Sequence, residues 1–222
     1  MDSVNKAIAD IKSQLQWPVE CKISDLENQA PSWSLSYTHR ISYPKNTCLL
    51  DILHEHLHAL DRERLPAQYS DGIPPIDNCP WGFEVRVNYY FNVVRDWTVN
   101  FRIATLCPDS AREWIEQDYH DKLNIIQQAR TPEDKLIVGL AFAEYAKFLG
   151  KSDIPTIEDK DIQRVFEVII DVPTEPNLDE LHIAVDALAS IFDEFRVQKC
   201  IGTKEIWYVI PNLSPACVQP KK

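Results

Sequence analysis

The chain has 222 residues, of which 45% are hydrophobic and 26% charged, and its formal net charge is -11. This length and apolar content are enough for one large domain with a packed core, and they exclude global disorder. The acidic balance and the lack of a Lys/Arg-rich run argue against binding by phosphate neutralisation, so we expect no nucleic-acid partner.

Cysteine usage and hydropathy indicate the compartment. The 6 cysteines include no CxxC pair, which leaves a cysteine-based zinc site unsupported. Residues 1–17 are polar and amphipathic, and no segment reaches the length of a membrane span. We therefore expect a cytoplasmic protein with mostly free thiols and no membrane contact.

The N-terminal part begins with a helix and short strands. Apolar residues at helical spacing predict a helix over residues 2–16, followed by a short strand over 19–24. Residues 32–38 alternate apolar and polar side chains, as a half-buried strand does, and residues 39–43 continue this strand or pair with it.

Two long helices separated by a proline-rich loop follow. Leucines three and four residues apart predict a helix over 48–64, begun by Asn46 or Thr47 as its cap. Residues 65–80 are rich in proline and predict a loop. Residues 81–104, rich in Val, Phe, Tyr and Trp, predict the second long helix.

The remainder of the chain predicts further helices and one late strand. The helices are expected over 109–130, 132–149, 159–170 and 177–197, and the strand over 204–210. The expected fold class is therefore α+β, predominantly helical, with a small N-terminal sheet. Residues 1–150 are expected to form the main domain and 151–222 a helical extension packed on it, or the two form one continuous domain.

The chemistry is carried by the H-E-x-x-H motif in the first long helix. Positions four apart on a helix lie about 40° apart and one turn along the axis, so the imidazoles of His54 and His58 converge on one ion. Glu55 lies beside them and can reach a water bound to that ion, whose pKa zinc lowers to about 7. The motif predicts one Zn²⁺ held by the two histidines, with Glu55 as general base and then proton donor to the leaving amine.

A site of this kind needs a third protein ligand, and the second helix carries a row of polar side chains four residues apart: Glu84, Asn88, Asn92, Asp96 and Asn100. Glu84 and Asp96 lie about 18 Å apart along the axis, so one metal uses only one of them. Asp96 is favoured because Asn92 and Asn100 flank it one turn on either side, in position to orient the ligands. Glu84 stays open as the alternative.

Asp61 is a further candidate because it follows His58 by three residues on the same helix. Its carboxylate can hydrogen-bond a ligand imidazole. A salt bridge on the helix surface with Arg62 or Arg64 is the alternative.

The motifs resemble those of the zincin metallopeptidases. Residues 92–100 are similar to the N-x-x-x-D-x-x-x-N helix of metallopeptidases in which the Asp completes the zinc site. Residues 84–88 instead resemble the E-x-x-x-[DN] helix of gluzincins and of the small regulatory proteases of the ImmA and IrrE type, in which the Glu is the ligand. The resemblance covers residues 32–104 and implies a zincin-like core, with a peptide or protein substrate that adds as a strand beside residues 32–38. An ordinary core strand is the equally supported alternative for residues 32–38.

The sequence thus predicts a zinc metallopeptidase, a hydrolase of peptide bonds. Two alternatives stay open: a catalytically silent or regulatory metal-binding protein, and a helical interaction protein without a metal. In either case the acidic C-terminal helices are a candidate docking surface for a protein partner.

Overall fold

The computed structural model of the protein describes residues 2–24, 32–35, 38–65, 82–152, 154–200 and 206–211. This part of the chain is predominantly helical with a small sheet, as expected for the α+β class. The predicted loop over residues 65–80 lies, apart from Leu65, outside the described residues.

The elements follow the predicted order. The helices are α1 (Asp2–Gln14), α2 (Leu49–Arg64), α3 (Phe83–Leu106), α4 (Pro108–Ile125), α5 (Pro132–Leu149), α6 (Lys160–Asp171) and α7 (Leu178–Ile191). The strands are β1 (Val19–Ser24), β2 (Ser32–Leu35), β3 (His39–Pro44), β4 (Phe195–Cys200) and β5 (Ile206–Pro211). No described helix combines the length and the apolar content that crossing a membrane requires.

The N-terminal sheet has β3 at its centre. β3 pairs in parallel with β1 and antiparallel with β2. Of the two alternatives for residues 39–43, pairing with the preceding strand is therefore the correct one. Among the described strands β2 thus lies at an edge of the sheet, and α2 packs against both β2 and β3. On β3, His39 and Ile41 point into the core and are fully buried.

A buried glutamate joins this sheet to the last turn of α2. The carboxylate of Glu63 accepts hydrogen bonds from the backbone N–H groups of Gln16 and Trp17, at 2.6 and 2.9 Å. The ring of His39 lies 2.8 Å from the same carboxylate. Burial raises the pKa of Glu63, but these bonds outweigh that effect and lower it below its usual range.

The predicted cap of α2 is wrong, although the predicted helix starts within one residue of the observed one. Its N-cap is Cys48, whose side chain makes no capping hydrogen bond. Neither Asn46 nor Thr47 takes the cap position; the hydroxyl of Thr47 donates instead to the carbonyl of Pro44, which closes the turn before the helix.

The predicted helix over 177–197 is also too long. α7 ends at Ile191, and Asp193 adopts a φ of 54°, in the left-handed region where helices end. Phe195 and Val197 are buried on alternate positions of β4, and the Phe195 ring packs edge to face on aromatic rings of α3. β4 pairs antiparallel with β5, which confirms the late strand.

The described residues form two hydrophobic core clusters, and α3 contributes to both. Its C-terminal half, including Val99 and Ile103, packs with α1, α2, α4 and α5. Its first four turns, from Phe83 to Trp97, pack with α5, α6, α7, β4 and β5. The second cluster therefore includes residues on both sides of residue 150, where the sequence predicted a domain boundary.

Candidate metal centre

The two motif histidines lie on adjacent turns of α2, half-buried, at the face that meets α3. The Nε2 atoms of His54 and His58 are 2.9 Å apart, and their ring centroids are 4.5 Å apart. His56 points away from them: it is 1% exposed, and its Nδ1 donates to the carbonyl of Ile52 one turn earlier. Helical geometry therefore selects two of the three histidines.

Asp96 of α3 completes the group. Its Oδ1 lies 3.0 Å from His58 Nε2 and 3.4 Å from His54 Nε2. Bonds of about 2.0–2.2 Å in a tetrahedral arrangement place ligand atoms about 3.3–3.6 Å apart. The three atoms, which lie within 4.8 Å of one another, are thus arranged as a nitrogen and oxygen donor set that zinc accepts, with a small expansion on binding.

The polar row on α3 turns gradually from solvent into the protein. Glu84, Asn88 and Asn92 are exposed, Asp96 is half-buried and Asn100 is 7% exposed. Residues four apart drift about 40° per step around a helix, which accounts for this change. Of the two alternatives for the third ligand, the structure brings Asp96 to the histidines and leaves Glu84 outside the group.

Asn100 orients one of the histidines. Its Oδ1 lies 2.8 Å from His54 Nδ1. An amide oxygen only accepts hydrogen bonds, so Nδ1 carries the hydrogen and donates it, and Nε2 is the nitrogen left for a metal. Asn92, the other predicted neighbour of Asp96, is exposed.

Glu144 of α5 lies behind Asn100 and was missed by the sequence analysis. The Nδ2 of Asn100 donates to Glu144 Oε1 at 2.7 Å. Burial raises the pKa of this carboxyl well above its usual range, against a smaller lowering by the Asn100 bond. No motif or spacing links two residues this far apart in sequence, so nothing in the sequence pointed to Glu144.

Asp61 has a different partner from the one predicted. Its carboxylate is buried and forms a salt bridge with Arg102 of α3. The expectation that Asp61 orients a ligand imidazole is therefore wrong. The salt bridge between Asp61 and Arg102 instead joins α2 to α3 beside the metal group.

Glu55 lies next to His54 on α2 and lines the cleft into which the metal group opens. Burial raises the pKa of its carboxyl, and the nearby His54 and His58 lower it by less. A general base is most effective when its pKa lies near the working pH, so this direction of shift suits the predicted role.

The three candidate ligands are strongly coupled. Burial lowers the pKa of His54, but the hydrogen bond and charge of Asp96, together with the charge of Glu55, raise it to about 9. Burial raises the pKa of Asp96, but its contacts with His54 and His58 hold it well below its usual range. A cation that replaces the proton of His54 would keep the same favourable contacts with Asp96.

The centre opens into a cleft of about 380 Å³ between α2, α3, α4 and α5. Apolar side chains form one wall: Trp114 and Ile115 of α4 with Ile137 and Leu140 of α5. Trp114 Nε1 donates to the carboxylate of Asp51 at 3.0 Å, which holds α4 against α2 at the rim. The ligand group is thus accessible from solvent rather than sealed in the core.

No protein-family model matches the chain, and no match was found among curated proteins or among solved structures. The resemblance to zincins therefore stays a prediction from the motif residues.

Proposed function

We propose that this protein is a zinc-dependent metallopeptidase that hydrolyses peptide bonds in peptide or protein substrates. The observation that carries the proposal is the convergence of His54, His58 and Asp96 from two helices, with Glu55 beside them in an accessible cleft. Two nitrogens and one carboxylate oxygen are the donor set of catalytic zinc sites, which keep a fourth position open.

A zinc ion held by these three side chains would supply a Lewis acid for the scissile carbonyl and for water. Glu55 accepts a proton from the attacking water and returns it to the leaving amine. Burial raises the pKa of the Glu55 carboxyl, which makes it a stronger base toward that water than an exposed glutamate would be. Asn100 holds the His54 ring in the orientation that presents Nε2 to the metal group.

The surroundings favour an extended peptide as substrate. Among the strands that the structure describes, β2 lies at an edge of the sheet that packs on α2, the helix that carries the motif. An edge strand presents free backbone groups to which an extended segment adds as a further strand. The cysteine usage favours a cytoplasmic location for this activity.

A catalytically silent or regulatory metal protein would use the same ligands, so a Glu55 variant is needed to distinguish that alternative from a peptidase. We expect Glu55→Gln to bind Zn²⁺ with the affinity of the wild type and to lose about 10²–10⁴-fold in cleavage rate. Zinc affinity is measured by competition with a chromophoric chelator, and cleavage by mass spectrometry of a diverse peptide mixture. Glu84→Gln, on the exposed start of α3, is the matched control and is expected to change neither quantity.

Three results would contradict the proposal at different points. Wild-type protein that binds no zinc would rule out the proposed metal centre. Wild-type protein that binds zinc but cleaves nothing in the mixture favours the regulatory alternative. Cleavage that persists unchanged in Glu55→Gln removes Glu55 as the base.

A further inference from the structure

We propose that Glu144 is a positioning residue of the metal centre, which acts through Asn100 to set the tautomer and orientation of the His54 ring. Three side chains from three helices form one hydrogen-bonded chain: Glu144 on α5, Asn100 on α3 and His54 on α2. The inference rests on the metal-binding part of the proposed function and does not depend on the cleavage of peptides.

The direction of each hydrogen bond follows from the chemistry of the groups. Glu144 Oε1 accepts from the amide NH₂ of Asn100 at 2.7 Å, as a carboxylate oxygen does and as the carbonyl oxygen of a neutral carboxyl does. The amide oxygen of Asn100 is thereby turned to the opposite side, where it lies 2.8 Å from His54 Nδ1. Without Glu144 the amide can rotate by 180° and present NH₂ to His54.

That rotation matters because the oxygen and the NH₂ group of the Asn100 amide stabilise different tautomers of the His54 ring. An amide oxygen holds hydrogen on Nδ1, so a metal that replaces the proton of Nε2 leaves this bond intact; Nε2 is the atom 2.9 Å from His58 Nε2 and 3.4 Å from Asp96 Oδ1. An NH₂ group in the same place bonds only to an Nδ1 without hydrogen, and a neutral ring of that tautomer has its hydrogen on Nε2, so a metal at Nε2 would break the amide contact.

The burial of Glu144 supports a specific role. Its exposure is 3%, that of Asn100 is 7%, and Glu144 lines the cleft beside the metal group. Burying a carboxyl costs free energy that an apolar side chain of similar size avoids. A role in packing alone would favour an apolar residue among neighbours such as Leu140 and Ala143, whereas orienting an amide requires the oxygen.

The test is a double-mutant cycle on zinc affinity, with the full chain and Zn²⁺ alone as the probe. Glu144→Leu and Asn100→Leu are each expected to weaken zinc binding by about 10- to 100-fold. The double variant should bind no more weakly than Asn100→Leu, because Glu144 acts through Asn100. Glu144→Gln keeps an accepting oxygen and should recover most of the lost affinity. Tyr145→Phe, buried next to Glu144 on α5, is the matched control and should bind zinc as the wild type does.

Thermal unfolding without added zinc separates positioning from packing. We expect Glu144→Leu to melt at or above the wild-type temperature while it binds zinc more weakly. Equal zinc affinity in Glu144→Leu and wild type overturns the inference, as do effects of the two leucine variants that multiply in the double variant. A Glu144→Leu chain that does not fold overturns it too, because the carboxyl then serves the fold. Wild-type protein that binds no zinc overturns the proposed function itself, and this outcome is visible before any variant is compared.

Discussion

Removing the carboxylate of Asp96 tests the third ligand, which the sequence left open between two residues. Asp96 Oδ1 lies 3.0 and 3.4 Å from the two ligand imidazoles. Loss of a residue that only orients a ligand weakens metal affinity by about 10- to 100-fold, so loss of a ligand should reach at least the upper end. We therefore expect Asp96→Ala to weaken zinc binding by about 100-fold or more.

This loss of affinity has a thermal consequence that can be calculated. At a zinc concentration about 100 times the wild-type Kd, binding stabilises the native wild type by about 2.7 kcal/mol, while a variant with 100-fold weaker binding gains only about 0.4 kcal/mol. For a chain of this size, 1 kcal/mol corresponds to about 2–4 °C in Tm. Zinc should thus raise the Tm of the wild type by about 5–11 °C and that of Asp96→Ala by about 1–2 °C.

The assay is differential scanning fluorimetry of matched samples with zinc and with a chelator. Glu84→Gln is the control, since Glu84 is exposed and lies about 18 Å from Asp96 along the axis of α3. Its zinc-dependent rise in Tm should equal that of the wild type. A normal rise in Asp96→Ala together with a lost rise in Glu84→Gln would refute the assignment of the third ligand.

Two further predictions concern pH. Because the pKa of His54 is raised from 6.5 to about 9, zinc must displace its proton, and zinc affinity measured by chelator competition should increase about tenfold per pH unit between pH 6.5 and 8. Because the pKa of Glu63 is lowered, its contribution to stability is present above its ordinary value of 4.5 and is lost as pH falls through the lowered pKa. Glu63→Ala should therefore cost about 3 kcal/mol of unfolding free energy in urea titrations at pH 7, and this cost should shrink in strong acid. The control Glu20→Ala removes an exposed ion pair and should cost less than about 1 kcal/mol.

Each of these has a clear contrary result. Zinc affinity that does not change between pH 6.5 and 8 would mean that no ligand proton is displaced in that range. An equal, small cost for the two glutamate variants would mean that the buried carboxylate of Glu63 does not join the sheet to α2 in solution.

Local features of the chain were readable from the sequence because they depend on neighbours within one turn. The i, i+4 spacing brought His54 and His58 together on α2 as predicted. The predicted helix starts at 132 and 177 agree with the structure to within one residue, and Thr131 and Asn177 form the capping boxes that begin α5 and α7.

The tertiary structure decided everything that depends on which turn of one helix crosses another. Periodicity showed a polar row on α3 but not the point at which it meets α2, and packing selects Asp96 there and leaves Glu84 in solvent. The packing of α2 on α3 also brings Asp61 into a salt bridge with Arg102, and the packing of α3 on α5 places Glu144 within hydrogen-bond distance of Asn100. Sequence periodicity measures direction around a single helix axis, whereas a site built from three helices depends on the distances between axes, which arise only when the apolar faces pack together.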